Sequence, residues 1–558
     1  MTDSVTDLAA HLGDPWDPLH NHSAPHLHWS TDNLGEAAPG VLTPLGWSLW
    51  QSIGERASRE ALYRLGALHS SERGAPQNPD ERILRIFFGR VAMQVEFLST
   101  LGDRMPGTTG QNVVRAIFGR VPEDIEFRPT LRRYPAVALR FPAVFLTVPR
   151  RVRSLAADTD AWWRRSTEEV QMADLATATA TLSDAADHFY GTLTLHTTCL
   201  MGVVQPMFDA LSSVAGRAGV DDVALLSGSG GAEMAVVGDI WRASRNEIPL
   251  AQAIANHGFH GPGEGELSSR VWREDDTGVR RLLSEYATRS ESDSPLAQAA
   301  RRDTQAEALR RKVLGALPRA QRGPAALVLK LAAARIPLRG VGKRSFLQSL
   351  DVARAASRRI GECLFAEDRL NDAEDVFYLT VDELTGTLPA DAWDLVSARR
   401  ERRELYRSVR IPSFWRGQPL AVAPTPVDKA LDDPAAEPGV VSGIGVSAGV
   451  VEGVVRVVTE PDFGEVESNE ILVAPTTDPS WSSIMFVSKA LVVDIGSSLS
   501  HAAVVARELG LPCVVNTRDG TRLLRTGDRV RVDGTAGTVQ ILERAQAATA
   551  GDEDSGSS

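Results

Sequence analysis

The strongest constraint on this chain is an abrupt change of texture after residue 416. From Ser48 to Arg410 alanine, leucine, arginine and glutamate dominate, and apolar residues recur at three- and four-residue spacing. That is the signature of amphipathic helices. Clear stretches are SLWQSIGERASREALYRLGALH, TEEVQMADLATATATLSDAADHFYGTLTLHTTCLMGVVQPMFDALSSVAG and SPLAQAARRDTQAEALRRKVLGAL, with glycine and proline breaks at Met105-Pro106-Gly107, His260-Gly261-Pro262-Gly263 and Pro337. Residues 416–440 then hold five prolines and little periodicity, the composition of a linker. Beyond them come short valine-rich runs bounded by Gly, Asp and Asn: GVVEGVVRVVTE, EILVAPTT, KALVVDIG, LPCVVNT and DRVRVDGTAGTVQIL. These predict strands. One helix, from about His501 to Leu509, interrupts them.

The predicted organisation is therefore multidomain. Residues 1–27, rich in Asp, His and Pro, read as a flexible leader. A large α-helical domain follows over 28–415, then a linker over 416–440 and a compact β-rich domain over 441–543. A polar, acidic tail over 544–558 is predicted to be disordered.

Charge and cysteine usage narrow the function classes. Against 60 Lys+Arg stand 72 Asp+Glu, a net charge of −12, which argues against a general nucleic-acid binder. No run approaches 18 uninterrupted apolar residues, and the N-terminus lacks a basic region followed by an apolar one. Cys199, Cys363 and Cys513 lie far apart and form neither a disulfide framework nor a CxxC site. The expectation is a cytoplasmic protein with no nucleic-acid partner and no membrane association.

The most informative text is VVDIGSSLSHAAVVARELGLPCVV. A strand from Ala490 to Asp494 runs into the small-residue loop Gly496-Ser497-Ser498-Leu499-Ser500. A helix opens at His501 with Ser500 as its N-cap, and Gly510-Leu511-Pro512 stops it. His501 thus falls in the first turn, where unpaired backbone N–H groups and the positive end of the helix dipole favour an anion such as phosphate. A neutral imidazole is also a nucleophile able to carry a covalent intermediate. On local physics alone, a surface or capping histidine satisfies the same pattern.

This stretch resembles the phosphohistidine swivelling domain of the phosphoenolpyruvate-utilising enzymes, shared by phosphoenolpyruvate synthase, pyruvate phosphate dikinase and rifampin phosphotransferase. Gly445-Val446-Ser447-Ala448-Gly449-Val450-Val451-Glu452-Gly453 is similar to the domain's opening GxxVSxGxxEG. Ala474-Pro475-Thr476-Thr477-Asp478-Pro479-Ser480-Trp481 resembles its TDPxW element, and Ala502 to Pro512 its helix. The resemblance implies a swivelling β/β/α phosphohistidine domain with His501 as the phosphorylated residue. Synthase and dikinase carry Thr two residues before that histidine. Leu499 stands there in this chain, with Ser500 adjacent, as in the rifampin phosphotransferase branch.

The longer domain resembles the same branch. Trp29 to Glu36 and Pro39 to Ser48 are similar to the opening of its antibiotic-binding domain. Asn256 to Glu264, with Leu267-Ser268 and Trp272-Arg273-Glu274-Asp275, is similar to GHRGPGExDLS…RWxEDP, and Glu374 to Leu384 to EDVFYLTxDEL. The resemblance begins near residue 29 and leaves no room for the family's ATP-grasp domain. No GxxxxGK[ST] or Gly-rich βαβ fingerprint is present. No cofactor is bound by a recognisable motif, so ATP and Mg²⁺ are expected through a separate ATP-grasp subunit.

Transfer to a hydroxyl calls for a base, cations for the phosphoryl oxygens and an apolar pocket. His257, His260 and Glu264 share a Gly/Pro-rich turn; they can bind a metal, act as acid and base, or simply fix a helix junction. No motif is a specific metal site. Arg339 and Lys343 lie four apart on one helix face and resemble an RExxK element near the phosphoryl site, whose glutamate is replaced by Gly340. That carboxylate must come from elsewhere, or the reaction is lost. The catalytic candidates are thus His501, Lys343, Arg339 and Glu264, and the substrate-binding candidates His257, His260, Trp47, Asp478, Trp481, Ser500 and Arg507. Trp47, Trp50 and Met105 can line a pocket or belong to the core. Asp478 and Trp481 shape the loop beside the carrier. Arg507 can hold Glu508 or a phosphate.

The leading expectation is a phosphotransferase component. A separate ATP-binding chain loads His501, which carries the phosphoryl group to a hydroxyl of a small-molecule acceptor in the helical domain. Two alternatives stand beside it: a dehydratase or cyclase acting on a natural-product intermediate in the helical pocket, and a non-catalytic ligand-binding protein.

Overall fold

The computed structural model describes residues 14–32, 37–38, 40–118, 121–220, 225, 230–422, 439–459, 466–467, 469–477, 481–498 and 500–545. The helices that position the site are α1 (Pro44–Leu65), α2 (Tyr134–Glu169), α3 (Leu175–Cys199), α4 (Gly231–Ser244), α5 (Leu338–Ala366), α6 (Ser482–Val487) and α7 (His501–Leu509). α5 is the axis of the large domain. It is buried on nearly every face and packs against α3 and α2, while α1 covers α3. Trp47, Trp50, Phe189, Phe346 and Leu350 fill the space between them.

Local signals explain the ends of these helices. Thr43 caps α1, accepting from the Gly46 amide, with Pro44 in the first turn. Gly66 ends α1 in the left-handed conformation at φ +91°. The long TEEVQ…SSVAG run is not one helix. It breaks at Val170–Met172, restarts with Asp174 capping α3, and passes through a π-turn at Leu200–Val204 into Gln205–Ala218. Among the described residues, Leu175–Ala218 is the one helical stretch long and apolar enough to cross a membrane, and 44% of its most apolar window is buried inside the protein.

The large domain also contains a sheet that periodicity does not announce. β1 (His28–Ser30), β2 (Leu84–Phe87), β3 (Arg90–Gln94) and β4 (Phe414–Arg416) pair antiparallel in the order β2-β3-β1-β4. His28 pairs with Arg416 across the whole length of the domain. Two expected boundaries are thereby corrected. Residues 14–27 are not a flexible leader: Leu19 is buried, Asn21 donates to the Ile86 carbonyl, and Asp17 accepts from the Tyr406 hydroxyl at 2.5 Å. They dock through individual hydrogen bonds and so show no period. Residues 1–13 lie outside the described residues. At the other end the domain runs past 415, since Gly417 donates to Leu27 and Val422 bridges Arg410. Of the expected linker, 423–438 lies outside the described residues.

The C-terminal domain is an eight-stranded sheet of β5 (Val440–Ser442), β6 (Ile444–Ser447), β7 (Val450–Val457), β8 (Ile471–Ala474), β9 (Ala490–Val493), β10 (Cys513–Val515), β11 (Arg529–Asp533) and β12 (Thr538–Glu543). The order is β5-β12-β11-β7-β8-β9-β10-β6, with β7 to β10 parallel and both flanks antiparallel. β8 and β9 are buried throughout, which is why they read as unbroken apolar runs. The domain begins at Val440. Arg544 and Ala545 still bond to Leu523 and Asp528, so the expected tail loses its first two residues to the fold. Residues 546–558 lie outside the described residues. The architecture is multidomain: a mostly helical N-terminal region and a C-terminal β-sheet domain.

Candidate functional site

β9 ends at Val493, and the loop that follows delivers His501 to the first turn of α7. Ser500 caps the helix by accepting from the Ala503 amide, and Gly510 closes it at φ +67°. His501 is wholly buried, yet not among hydrocarbon. Its Nε2 lies 3.0 Å from the Ser482 hydroxyl and its Nδ1 3.2 Å from the Thr477 hydroxyl. Burial, with Lys343, Arg339 and His260 of the large domain close by, holds the imidazole well below its usual range. It is neutral at physiological pH and so nucleophilic. Arg507 reaches back to donate to the Ser498 carbonyl in the loop before His501, 2.6 Å away.

The large domain meets this ring with a cluster of paired charges. Arg339 and Lys343, one turn apart on α5, each face a carboxylate: Arg339 Nη1 donates to Glu233 Oε1 at 3.3 Å, and Lys343 Nζ lies 3.8 Å from Glu264 Oε1. Glu264 also bonds His260 Nδ1 at 2.7 Å. Burial pushes the Glu264 carboxyl up to about 7 against the opposing pull of Lys343 and Arg354. The loop carrying it is pinned from below. Arg354, wholly buried, donates to the Glu264 and Glu266 carbonyls, and Trp50 Nε1 to the Gly265 carbonyl. His257 sits to one side, its Nε2 3.1 Å from Asp239 Oδ2.

Not every expected residue joins the cluster. Trp47 lies in the core of the large domain and Trp481 in the core of the β domain, against Ile484, Met485 and Ala502. An indole spaced along these buried faces is drawn into apolar packing. Met105 packs with Leu98 and Leu101, in a separate cluster from Trp47. Glu508 reaches the large domain, where its Oε1 accepts from the Gly230 amide. Asp478 lies outside the described residues.

Sequence reasoning missed two groups. Glu233 supplies a carboxylate beside Arg339: its Oε2 lies 3.1 Å from where a Cβ on Gly340 would sit. His196 on α3 packs against Gly342, its buried Nδ1 without a partner; burial, Arg339 and Lys343 lower it to about 3. A lone histidine on an apolar helix and a glutamate 107 positions upstream of Gly340 give no local signal.

The fold and the site define a protein with a histidine-bearing β-sheet domain seated on a helical domain that offers cations and carboxylates. Residues 466–537 match the family model of the PEP-utilising enzyme mobile domain, and residues 207–344 that of the rifampicin phosphotransferase fourth domain. His501 lies in the first match; Glu233, His260, Glu264, Arg339 and Lys343 lie in the second. The chain is 36% identical over 208 residues to a rifampicin phosphotransferase of a Streptomyces species, covering 37% of this chain and 23% of that one. It is 34% identical over 193 residues to the rifampicin phosphotransferase of Bacillus subtilis (34% and 22%), and 36% identical over 218 residues to an uncharacterised protein of Mycobacterium tuberculosis (39% and 25%). The chain spans a quarter or less of the length of these relatives.

Proposed function

We propose that the chain is the carrier-and-acceptor part of a phosphohistidine phosphotransferase. His501 is loaded by a separate ATP-binding chain, which supplies ATP and Mg²⁺, and passes its phosphoryl group to a hydroxyl of a small molecule held by the helical domain. The observation that carries this reading is the buried His501 ring, held by Thr477 and Ser482 and facing Lys343, Arg339 and His260 across the domain boundary.

In the transfer step the acceptor oxygen attacks phosphorus and the P–N bond to His501 breaks. The electron pair returns to the ring nitrogen; a proton on the second nitrogen lets the imidazole leave neutral. Glu264 takes the hydroxyl proton, since a carboxyl titrating near 7 is matched to that task. Lys343 and Arg339 stabilise the charge on the phosphoryl oxygens. Among the described residues no three His, Cys, Asp or Glu side chains are grouped to hold a metal ion.

The test is to incubate the protein with ATP, Mg²⁺ and candidate ATP-binding partners and look for an acid-labile, base-stable phosphate on His501. His501→Ala should remove both the label and product formation. Equal substrate conversion by wild type and His501→Ala would end the phosphotransfer reading in favour of chemistry in the helical pocket alone.

A further inference from the structure

The helix that presents His501 carries two other buried residues on the same face. Val504 and Glu508 lie three and seven positions further on, one and two helical turns away. Both meet one point of the large domain, Gly230. The Gly230 amide donates to Glu508 Oε1 at 2.9 Å. A Cβ on Gly230 would come 2.7 Å from Glu508 Cγ and 2.8 Å from Val504 Cγ1, so only a hydrogen fits beneath α7. The backbone itself does not demand glycine: φ is −93°, which any residue adopts. The requirement is imposed from across the domain boundary.

Gly230 is also the N-cap of α4, and it contributes no side-chain bond of its own. The first turn of α4 closes when the Met234 amide donates to the Gly230 carbonyl, and that turn bears Glu233, the partner of Arg339. A carboxylate at a helix N-terminus is favoured both by the orphan amides and by the dipole. Elsewhere along the seam Phe486 of α6 packs on Tyr286 and Trp241, with ring centroids 4.7 and 5.9 Å away, and Arg289 donates to the Val487 carbonyl.

We propose that Gly230 is a docking notch for α7 and that Glu508 is a positioning residue: seating the histidine-bearing domain fastens the first turn of α4 and so orders Glu233 against Arg339 at the moment His501 arrives. The docking part stands on contacts alone. Its consequence for transfer rests on the function proposed above.

Gly230→Ala tests the notch in the full-length protein, because the three heavy atoms nearest the added methyl all belong to side chains of α7. The readout is the rate at which diethyl pyrocarbonate modifies His501, followed by peptide mass spectrometry. The ring is wholly buried when docked, so a rise of about tenfold or more is expected for Gly230→Ala, the effect of losing one charge-assisted bond and its close packing. Glu508→Ala, which leaves α4 untouched, should rise similarly, and Glu508→Gln, which keeps an acceptor oxygen but loses the charge, should fall between wild type and Glu508→Ala. Unchanged modification in folded Gly230→Ala and Glu508→Ala overturns the notch. No phosphoryl transfer enters this measurement, so it succeeds or fails independently of the His501 phosphate assay. Where transfer is observed, Gly230→Ala should slow delivery to the acceptor while the loading of His501 by the ATP-binding chain is unchanged. Equal slowing of both steps would also overturn the positioning role.

Discussion

The carboxylate of Glu233 fills the space beside Gly340: its Oε2 lies 3.1 Å, and the Cβ of Ala232 3.0 Å, from the point a Cβ at position 340 would occupy. In the RExxK element that this turn resembles, the acid stands at that position. Here it reaches the same place from α4 and bonds the same arginine, Arg339. A glutamate at 340 and a glutamate at 233 therefore compete for one volume and one cation.

Gly340→Glu is accordingly expected to destabilise the large domain by about 1–3 kcal/mol, through overpacking and a second buried carboxylate. It should also lower phosphoryl transfer. Adding Glu233→Ala to Gly340→Glu should restore part of both losses, whereas Glu233→Ala alone should not. Thermal melts and single-turnover transfer of the three variants check this; additive losses in the double variant would refute the shared volume.

Glu264 sets a pH dependence whose sign is opposite to that of a salt-bridged acid. Its folded value is raised to about 7 by burial, above the unfolded value of 4.5. Between those limits the folded state binds a proton that the unfolded state has released. Stability therefore falls as pH rises from about 4.5 to about 7 and then levels off. Glu264→Gln should flatten that part of the stability curve and still accept the bond from His260. Transfer should show the reverse limb, rising through about pH 7 as the base ionises, and that limb should vanish in Glu264→Gln.

How much of this was legible in the sequence depended on the range of each interaction. The start of α7 at His501, its Ser500 cap and its Gly510 stop are local, and the sequence announced all three. The pairing of Arg339 with Lys343 on one face follows from spacing alone. β1 and β4 are three residues each and pair across more than 380 positions, so neither carries a period to be read. The same holds for Asp17, which finds Tyr406 and Arg402, and for Glu508, which finds Gly230 278 positions away. Trp47 and Trp481 show the converse: their spacing was visible, but the balance of burial that makes them core rather than pocket is a property of the packed fold.

Arg354 offers a test of what holds the loop that carries Glu264. It is wholly buried, bonds Asp351 at 3.1 Å and donates to the Glu264 and Glu266 carbonyls at 2.8 and 3.1 Å. Arg354→Met leaves those carbonyls without their donor and one partner fewer on buried Asp351, though Arg273 and Trp163 remain bonded to it. The expected cost is about 3–5 kcal/mol, seen as a drop in Tm. A loss below about 1 kcal/mol would mean that the loop is held chiefly by Thr43, which donates to Glu266 from both its amide and its hydroxyl.

Lys343 separates electrostatic from structural roles at the site. Its charge lies 3.8 Å from Glu264 Oε1 and opposes the effect of burial on that carboxyl. It is also among the charges that keep His501 deprotonated. Removing it in Lys343→Met should raise the Glu264 value further, and with it the midpoint of the ascending pH limb of transfer. The His501 value should rise as well, so that the ring becomes more readily protonated in acid. Lys343→Arg keeps the charge and should keep the midpoint close to that of wild type, even if the maximal rate falls because the guanidinium sits differently against the carboxylate. Measuring transfer against pH for both variants distinguishes the two effects. A midpoint that moves equally in Lys343→Met and Lys343→Arg would show that packing, and not charge, couples Lys343 to Glu264.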